Sequence, residues 1–390
     1  MTTSVPIQPR QGGRGRPIRT SILGTGMSLS VFHEPSIALL PEQFAIHSIF
    51  ERSDKGRLEA LKQAGRLDGV KIVRTFEEVL EDADVELIVV STPNNTHYGY
   101  AKAALEAGKH VLIEKPICPT LVEATELYQL AESKGLSLSV YQNRRWDSDF
   151  LTLQALLSSG KLGDIIEMTS SFDRYRPLPR TYQSGVNWKE TPGASNNAIY
   201  NLGSHLIDQA VVLFGEPTKI GARCLDQRGI GLDESFVLDL YYPPAETTSS
   251  DTARIITLRA SILSALPHQL RYLVKGSKGS YVKYTLPNSH SALKEINEDN
   301  PVTHEGFGVE PEEGWGTAYI AKEEKDGADF TEEKVPASAG DYKGLYLNLF
   351  EAIDSADRAK LAVKKEQVLS VLKIIELARK SSDEGKVLSF

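Results

Sequence analysis

The sequence predicts an α/β protein: a doubly wound parallel sheet, then an α+β unit on a large mixed or antiparallel sheet. Three observations carry that prediction. Short apolar runs alternate with helical patterns from Ile18 to Tyr141. A glycine turn, Gly24-Thr25-Gly26, follows the first run and opens a helix. Beyond residue 143, strand follows strand with few helices between.

A chain of 390 residues exceeds one ordinary core. The expected division is a disordered tail over 1–17, a dinucleotide-binding domain over 18–143 and an α+β domain over 144–390. The last helices are free to pack back on the first domain. The tail is rich in Gly, Pro and Arg and has no acid. A mitochondrial presequence shares that bias, but the prolines and glycines spoil its helix. Net charge is -8 and pI about 5.6, which argues against a nucleic-acid partner. Cys118 and Cys224, the two cysteines, lack metal-type spacing. No metal site is expected, and a reducing, cytoplasmic setting is. No apolar run is long enough to span a bilayer.

The first strand runs Ile18-Arg-Thr-Ser-Ile-Leu into the glycine turn. Gly24 permits the tight turn, and Gly26 lets the backbone approach a pyrophosphate at the helix start. Leu29 stands where a third glycine is usual. This is the Rossmann fingerprint in its strand–turn–helix setting. Phe44–Phe50 is the second strand, and 54–64 is expected to be helical. The second strand ends Glu51-Arg52-Ser53, where cofactor choice is made. Glu51 suits the ribose hydroxyl of NAD; Arg52 and Ser53 suit the 2′-phosphate of NADP. The preference stays open.

Thr75 and Glu78 have capping-box spacing before the next helix. Val85–Val90 is a buried strand ending in Ser91-Thr92-Pro93-Asn94-Asn95-Thr96-His97. Small polar residues there suit cofactor ribose and phosphate, so Thr92, Pro93, Asn94 and His97 are candidate contacts. Val111-Leu112-Ile113-Glu114-Lys115-Pro116 follows. Its apolar part reads as a strand buried on both faces, and Pro116 stops the ladder. Glu114 and Lys115 then emerge at the carboxyl edge, where open parallel sheets bind ligands. A helix over 121–134 and a strand over 136–141 complete the sheet.

In the second half a helix is expected from Ser148 to Ser158. Strands are expected at 165–172, 219–223, 235–242 and 254–262, with a hairpin over 271–284. The apolar run Ser235–Tyr242 implies a sheet face that a second copy of the chain covers, giving a dimer or tetramer. Asn201, His205 and Asp208 stand at i, i+4 and i+7 of one helical face. Such polar residues among Leu, Ile and Val are costly unless they line a site. The acidic, Gly/Pro-containing stretch 295–334 reads as one long loop. Two amphipathic helices, 345–355 and 368–380, close the chain.

The glycine turn, Thr92-Pro93-Asn94, Glu114-Lys115-Pro116 and Gly203-Ser-His205-Leu-Ile-Asp208 occur in one order. Together they resemble the glucose–fructose oxidoreductase, inositol dehydrogenase and rhizopine-catabolism family (Gfo/Idh/MocA), over about residues 18–390. Asn143-Arg144-Arg-Trp-Asp and Val282-Lys-Tyr resemble its branch with NADP-dependent scyllo-inositol dehydrogenase. The resemblance implies hydride transfer between NAD or NADP and a secondary alcohol of a sugar or polyol. It implies that Lys115 hydrogen-bonds the reacting oxygen and that His205 is the general acid/base. It places Asn143, Arg144, Asn201 and Asp208 against substrate. One departure stands out: Asn201 occupies a position that is usually Asp in the family. An amide can orient the imidazole but cannot balance its charge. A non-catalytic cofactor-binding regulator is therefore the competing reading.

Overall fold

The computed structural model describes residues 15–390 apart from 54–55, 180, 183–184, 187–189, 194, 244–252, 286–305, 324 and 328. Most of the expected tail lies outside the described residues; Arg16 at its end pairs with Glu86 at 2.6 Å.

The first sheet is parallel and doubly wound. Its strands are β1 (Ile18–Leu23), β2 (Phe44–Phe50), β3 (Lys71–Val73), β4 (Leu87–Val90), β5 (His110–Ile113) and β6 (Leu138–Val140), in the order β3-β2-β1-β4-β5-β6. The order reverses direction between β1 and β4, which opens a crevice at their carboxyl ends. The connecting helices are α1 (Glu34–Ala38), α2 (Glu59–Gln63), α3 (Phe76–Glu81), α4 (His97–Glu106) and α5 (Leu121–Ser133). β4 and β5 are buried almost throughout because helices cover both faces. Thr75 with Glu78, and Thr120 with Glu123, close full capping boxes. The helix expected over 54–64 is confined to α2 among the described residues.

The helix after the glycine turn departs from the expected regular one. A π-turn over Leu29–His33 precedes α1. Such turns insert an extra residue and re-aim the side chains around it.

The second sheet is built from β7 (Ile165–Ser171), β10 (Lys219–Leu225), β11 (Ser235–Tyr242), β12 (Arg254–Ala260), β13 (Leu270–Gly276), β14 (Gly279–Tyr284), β15 (Gly316–Ala321), β16 (Phe330–Val335) and β17 (Leu388–Ser389). A two-stranded ribbon, β8 (Thr181–Tyr182) and β9 (Gly185–Val186), stands apart from it. The order is β16-β15-β14-β13-β7-β12-β11-β10-β17. Only the β7–β12 pair is parallel, so the sheet is mixed. Helices α6 (Ser148–Ser158), α7 (Ser204–Phe214), α8 (Lys343–Asp354) and α9 (Lys365–Glu384) complete the described elements named here.

The stretch read as one long loop over 295–334 is corrected. Residues 295–305 lie outside the described residues, but β15 and β16 extend the sheet. Composition hid them: β15 begins with the small residues Gly316, Thr317 and Ala318, and β16 carries Glu332, Glu333 and Lys334. Gly316 is required by its neighbour: a Cβ there would stand 2.3 Å from the hydroxyl oxygen of Tyr281.

Helix α8 packs into the first sheet's core. Leu345, Tyr346, Leu349 and Ile353 join Ile18, Ile22, Phe44 and Leu87 in one apolar cluster. Tyr346 meets Phe44 edge-on, with centroids 5.3 Å apart. Each such side chain contributes about 2 kcal/mol of transfer free energy when buried.

Candidate active site

The crevice floor is the glycine turn. Gly24 has φ +105°, and a Cβ there would lie 2.4 Å from the Ser91 carbonyl. No other residue lets β1 and β4 end so close together. Gly26 faces open space, with nothing within 4 Å of where a Cβ would stand. That opening beside the helix start fits the pyrophosphate of a dinucleotide.

At the end of β2, Glu51 is buried and already paired. Arg74 Nη1 donates to its carboxylate at 2.8 Å and to its carbonyl at 3.0 Å. Arg52 and Ser53 are exposed beside it. Arg74, just after β3, was not evident from the sequence as part of this corner.

After β4, the Thr92 and Thr96 hydroxyls lie 2.7 Å apart, and Thr96 donates to the Pro93 carbonyl at 2.7 Å. Asn94 is buried, and its amide donates to the Ser195 carbonyl at 3.0 Å. His97 is buried between two carbonyls, Pro116 at 2.8 Å and Thr92 at 2.9 Å. Burial pushes its pKa below the ordinary value, against the pull of those two carbonyls. Both residues thus have protein partners: Asn94 ties the turn to the second unit, and His97 lies between the ends of β4 and β5.

Lys115 leaves β5 at the carboxyl edge, before a cis bond to Pro116. Its ammonium donates to the main-chain carbonyl of Asn201 at 2.8 Å. Glu114 accepts from the Lys115 N–H at 3.2 Å. The lysine thus reaches from the first sheet to the segment that carries His205.

That segment corrects the one-face expectation. Ile199–Gly203 form a π-turn before α7. The turn removes the α spacing between 201 and 205, and the Asn201 amide points back to donate to the Asn196 carbonyl at 2.6 Å. Lys115 therefore meets residue 201 through its backbone. His205, in the first turn of α7, is 7% exposed. Its Nδ1 is closed off from solvent.

Asp208 has a protein partner. Arg145 grips its carboxylate with two bonds, of 2.8 and 2.7 Å. Arg144 is buried, pairs with Asp147 at 2.6 Å and lies over the Phe172 ring at 5.1 Å. Gln209 donates to the Arg144 carbonyl at 3.0 Å. Asn143 is buried in the same turn after β6. This turn and α7 are thus stitched together directly behind His205. Arg145 and Gln209 were not singled out as site residues, and nothing in their spacing marks them.

Comparison with known proteins bears on this arrangement. The model of an oxidoreductase family with an NAD-binding Rossmann fold matches residues 18–142. The model of the Gfo/Idh/MocA C-terminal domain matches residues 150–282. The chain belongs to the Gfo/Idh/MocA family. It is an NAD(P)-dependent oxidoreductase. An uncharacterized oxidoreductase of Schizosaccharomyces pombe is 38% identical over 95% of this chain and 98% of its own. The scyllo-inositol 2-dehydrogenase (NADP(+)) of Bacillus subtilis is 33% identical over 95% of each chain. A solved oxidoreductase structure from Bacillus subtilis superposes with a TM-score of 0.84 at 32% identity, covering 97% of this chain and 99% of that one. Membership of the Gfo/Idh/MocA family accounts for the pairing of a dinucleotide crevice with a second, sheet-based unit. Among the described residues no helix is long and apolar enough to cross a membrane.

Proposed function

We propose that the chain is an NADP-dependent dehydrogenase acting on a secondary alcohol, or the matching ketone, of an inositol, sugar or related polyol. The observation that carries this is the reach of Lys115 from the cofactor crevice to the helix of His205, through the 2.8 Å bond to Asn201. A substrate oxygen arriving there exchanges one acceptor for another at the ammonium group. Lys115 then holds and polarises that oxygen, favouring the charge it gains as the reaction proceeds. His205 takes the hydroxyl proton on its imidazole during oxidation and returns it during reduction. The bound nicotinamide supplies the hydride chemistry. Gly24 and Gly26 would hold its pyrophosphate, and Thr92 and Pro93 its nicotinamide side.

NADP is favoured because Glu51 is sequestered by Arg74 while Arg52 and Ser53 stand exposed. The Bacillus relative is named an NADP(+) enzyme, which agrees with that choice. The outer face of the second sheet exposes Leu225, Val237 and Ile255. A second copy covering that face supports a dimer or tetramer. Cys118 and Cys224 are both free thiols, as a cytoplasmic protein requires.

The test is a turnover screen with NADP⁺ and NAD⁺ against inositols, sugars and dihydrodiols, read by absorbance of the reduced cofactor. Turnover with NADP⁺ and one polyol class is the expected result. Silence across the panel, with NADPH still bound, would replace the enzyme by a cofactor-binding regulator.

A further inference from the structure

His33 lies at the end of the π-turn that follows the glycine turn, and it is fully buried. Its Nδ1 is 2.9 Å from the Tyr346 hydroxyl. Its Nε2 is 3.2 Å from Oε1 of Glu114. The ring rests on Tyr141, with centroids 4.6 Å apart. A buried imidazole is costly unless both nitrogens find partners. A carboxylate can only accept, so the hydrogen belongs on Nε2 and the Tyr346 hydroxyl donates to Nδ1. Burial, with Tyr141 and Glu114 adding to it, keeps Tyr346 protonated and able to donate.

The other oxygen of Glu114, Oε2, accepts from the Lys115 N–H. The Glu114 N–H in turn donates to the Val90 carbonyl at 3.0 Å. One carboxylate is thus shared between the helix of the glycine turn and the reactive lysine. We infer that His33 is a positioning residue: through Glu114 it sets the stance of Lys115, tying the cofactor-binding helix to the group that holds the reacting oxygen. The inference rests on the role of Lys115 proposed above. The Nε2–Glu114 contact has the distance of a hydrogen bond but a bent angle, since Nε2 makes no well-aligned bond. Small adjustments of either residue therefore pass to the other.

Two amide substitutions separate this role from packing. In His33→Gln the amide nitrogen reaches as far as Nε2, so the polar contact with Glu114 is kept. In His33→Asn the shorter amide reaches only as far as Nδ1, where its carbonyl oxygen can accept from Tyr346, and Glu114 loses its partner. With scyllo-inositol and NADP⁺, His33→Asn should lower kcat about tenfold to a hundredfold. KM for NADP⁺ should stay within about twofold, and His33→Gln should restore most of kcat. Glu114→Gln combined with His33→Asn should cost no more than the larger single change. A second readout is independent of turnover. The Lys115 amide resonance, assigned in lysine-labelled protein by its loss in Lys115→Arg, should shift in His33→Asn and Glu114→Gln but not in His33→Gln. An unmoved Lys115 resonance in His33→Asn overturns the inference. So does an equal loss of kcat and melting temperature in both His33 variants. Absent turnover with the resonance shifts intact would instead count against the assigned reaction.

Discussion

Lys115 donates its ammonium to the main-chain carbonyl of Asn201, 2.8 Å away, across the line where the two sheets' territories meet. A backbone carbonyl is a fixed acceptor, so the lysine is held extended before any substrate arrives. Preorganisation of this kind spares the reorganisation that an exposed lysine would need. Replacing Lys115 by Ala should lower kcat by roughly 10²–10⁴ while NADPH binding persists. Stopped-flow turnover beside NADPH fluorescence titration checks both halves.

Asn201→Asp, the change toward the family's usual residue, should not improve the protein. The Asn201 amide donates to the Asn196 carbonyl at 2.6 Å, and a carboxylate there would set oxygen against oxygen. Losing that bond and leaving the carbonyl unsatisfied costs about 1–3 kcal/mol. Thermal melts should record the loss, and kcat should fall with it. A rise in kcat would show that this position needs charge more than it needs the loop.

Cofactor choice should follow the arginines. Arg52→Ala should weaken NADP⁺ by about tenfold or more while leaving NAD⁺ little changed, as loss of a charge-assisted bond predicts. Arg74→Ala should release Glu51 from its 2.8 Å pairing and raise the relative affinity for NAD⁺. Titrating each variant with both cofactors decides the matter. A Glu51→Ala variant that alone loses cofactor would place the ribose contact on the acid instead.

Acid should weaken one surface cluster on the edge of the first sheet. Burial alone would raise the Asp82 pKa, but the Asp84 N–H at 2.9 Å and His47 at 2.9 Å pull it down to about 2. A depressed carboxyl stabilises the fold above its unfolded pKa and loses that contribution as pH falls through the folded value. The difference in stability between the parent and Asp82→Asn should be about 1 kcal/mol near neutrality, solvent screening included. It should shrink as pH drops from about 4 toward about 2. Urea melts across that window measure it.

The second sheet's outer face should control assembly. Val237 and Ile255 are both about two-fifths exposed on adjacent strands. Val237→Arg should shift the mass seen by light scattering toward the monomer without lowering helix content. An unchanged mass would assign that face to something other than a second copy.

Most of the parallel strands were legible because they are apolar runs with turn residues at their ends, and the Thr75–Glu78 capping box follows from spacing alone; the Thr120–Glu123 box was not read. Lys115 was legible because a charged pair and a proline end a buried strand. The Asn201 side chain was not, because a π-turn depends on how the segment settles between two sheets and leaves no periodic trace. Arg74 was missed because its value lies in reaching across from β3 to Glu51, a relation between strands. His33 carries no local signal at all, since Glu114 and Tyr346 lie 81 and 313 positions away. Strands β15 and β16 were hidden by small residues in one and by Glu332, Glu333 and Lys334 in the other.

The seating of α8 also orders events in time. Tyr346, Leu349 and Ile353 fill the same cluster as Ile18 and Phe44. As the chain leaves the ribosome, the first sheet can pair its strands early, but one side of its core stays uncovered until residue 353 has emerged. Shortened chains that stop before α8 would carry the complete glycine turn and Lys115 and still expose that surface to chaperones and proteases. The first sheet's core is therefore completed by a segment made about 200 residues after its last strand.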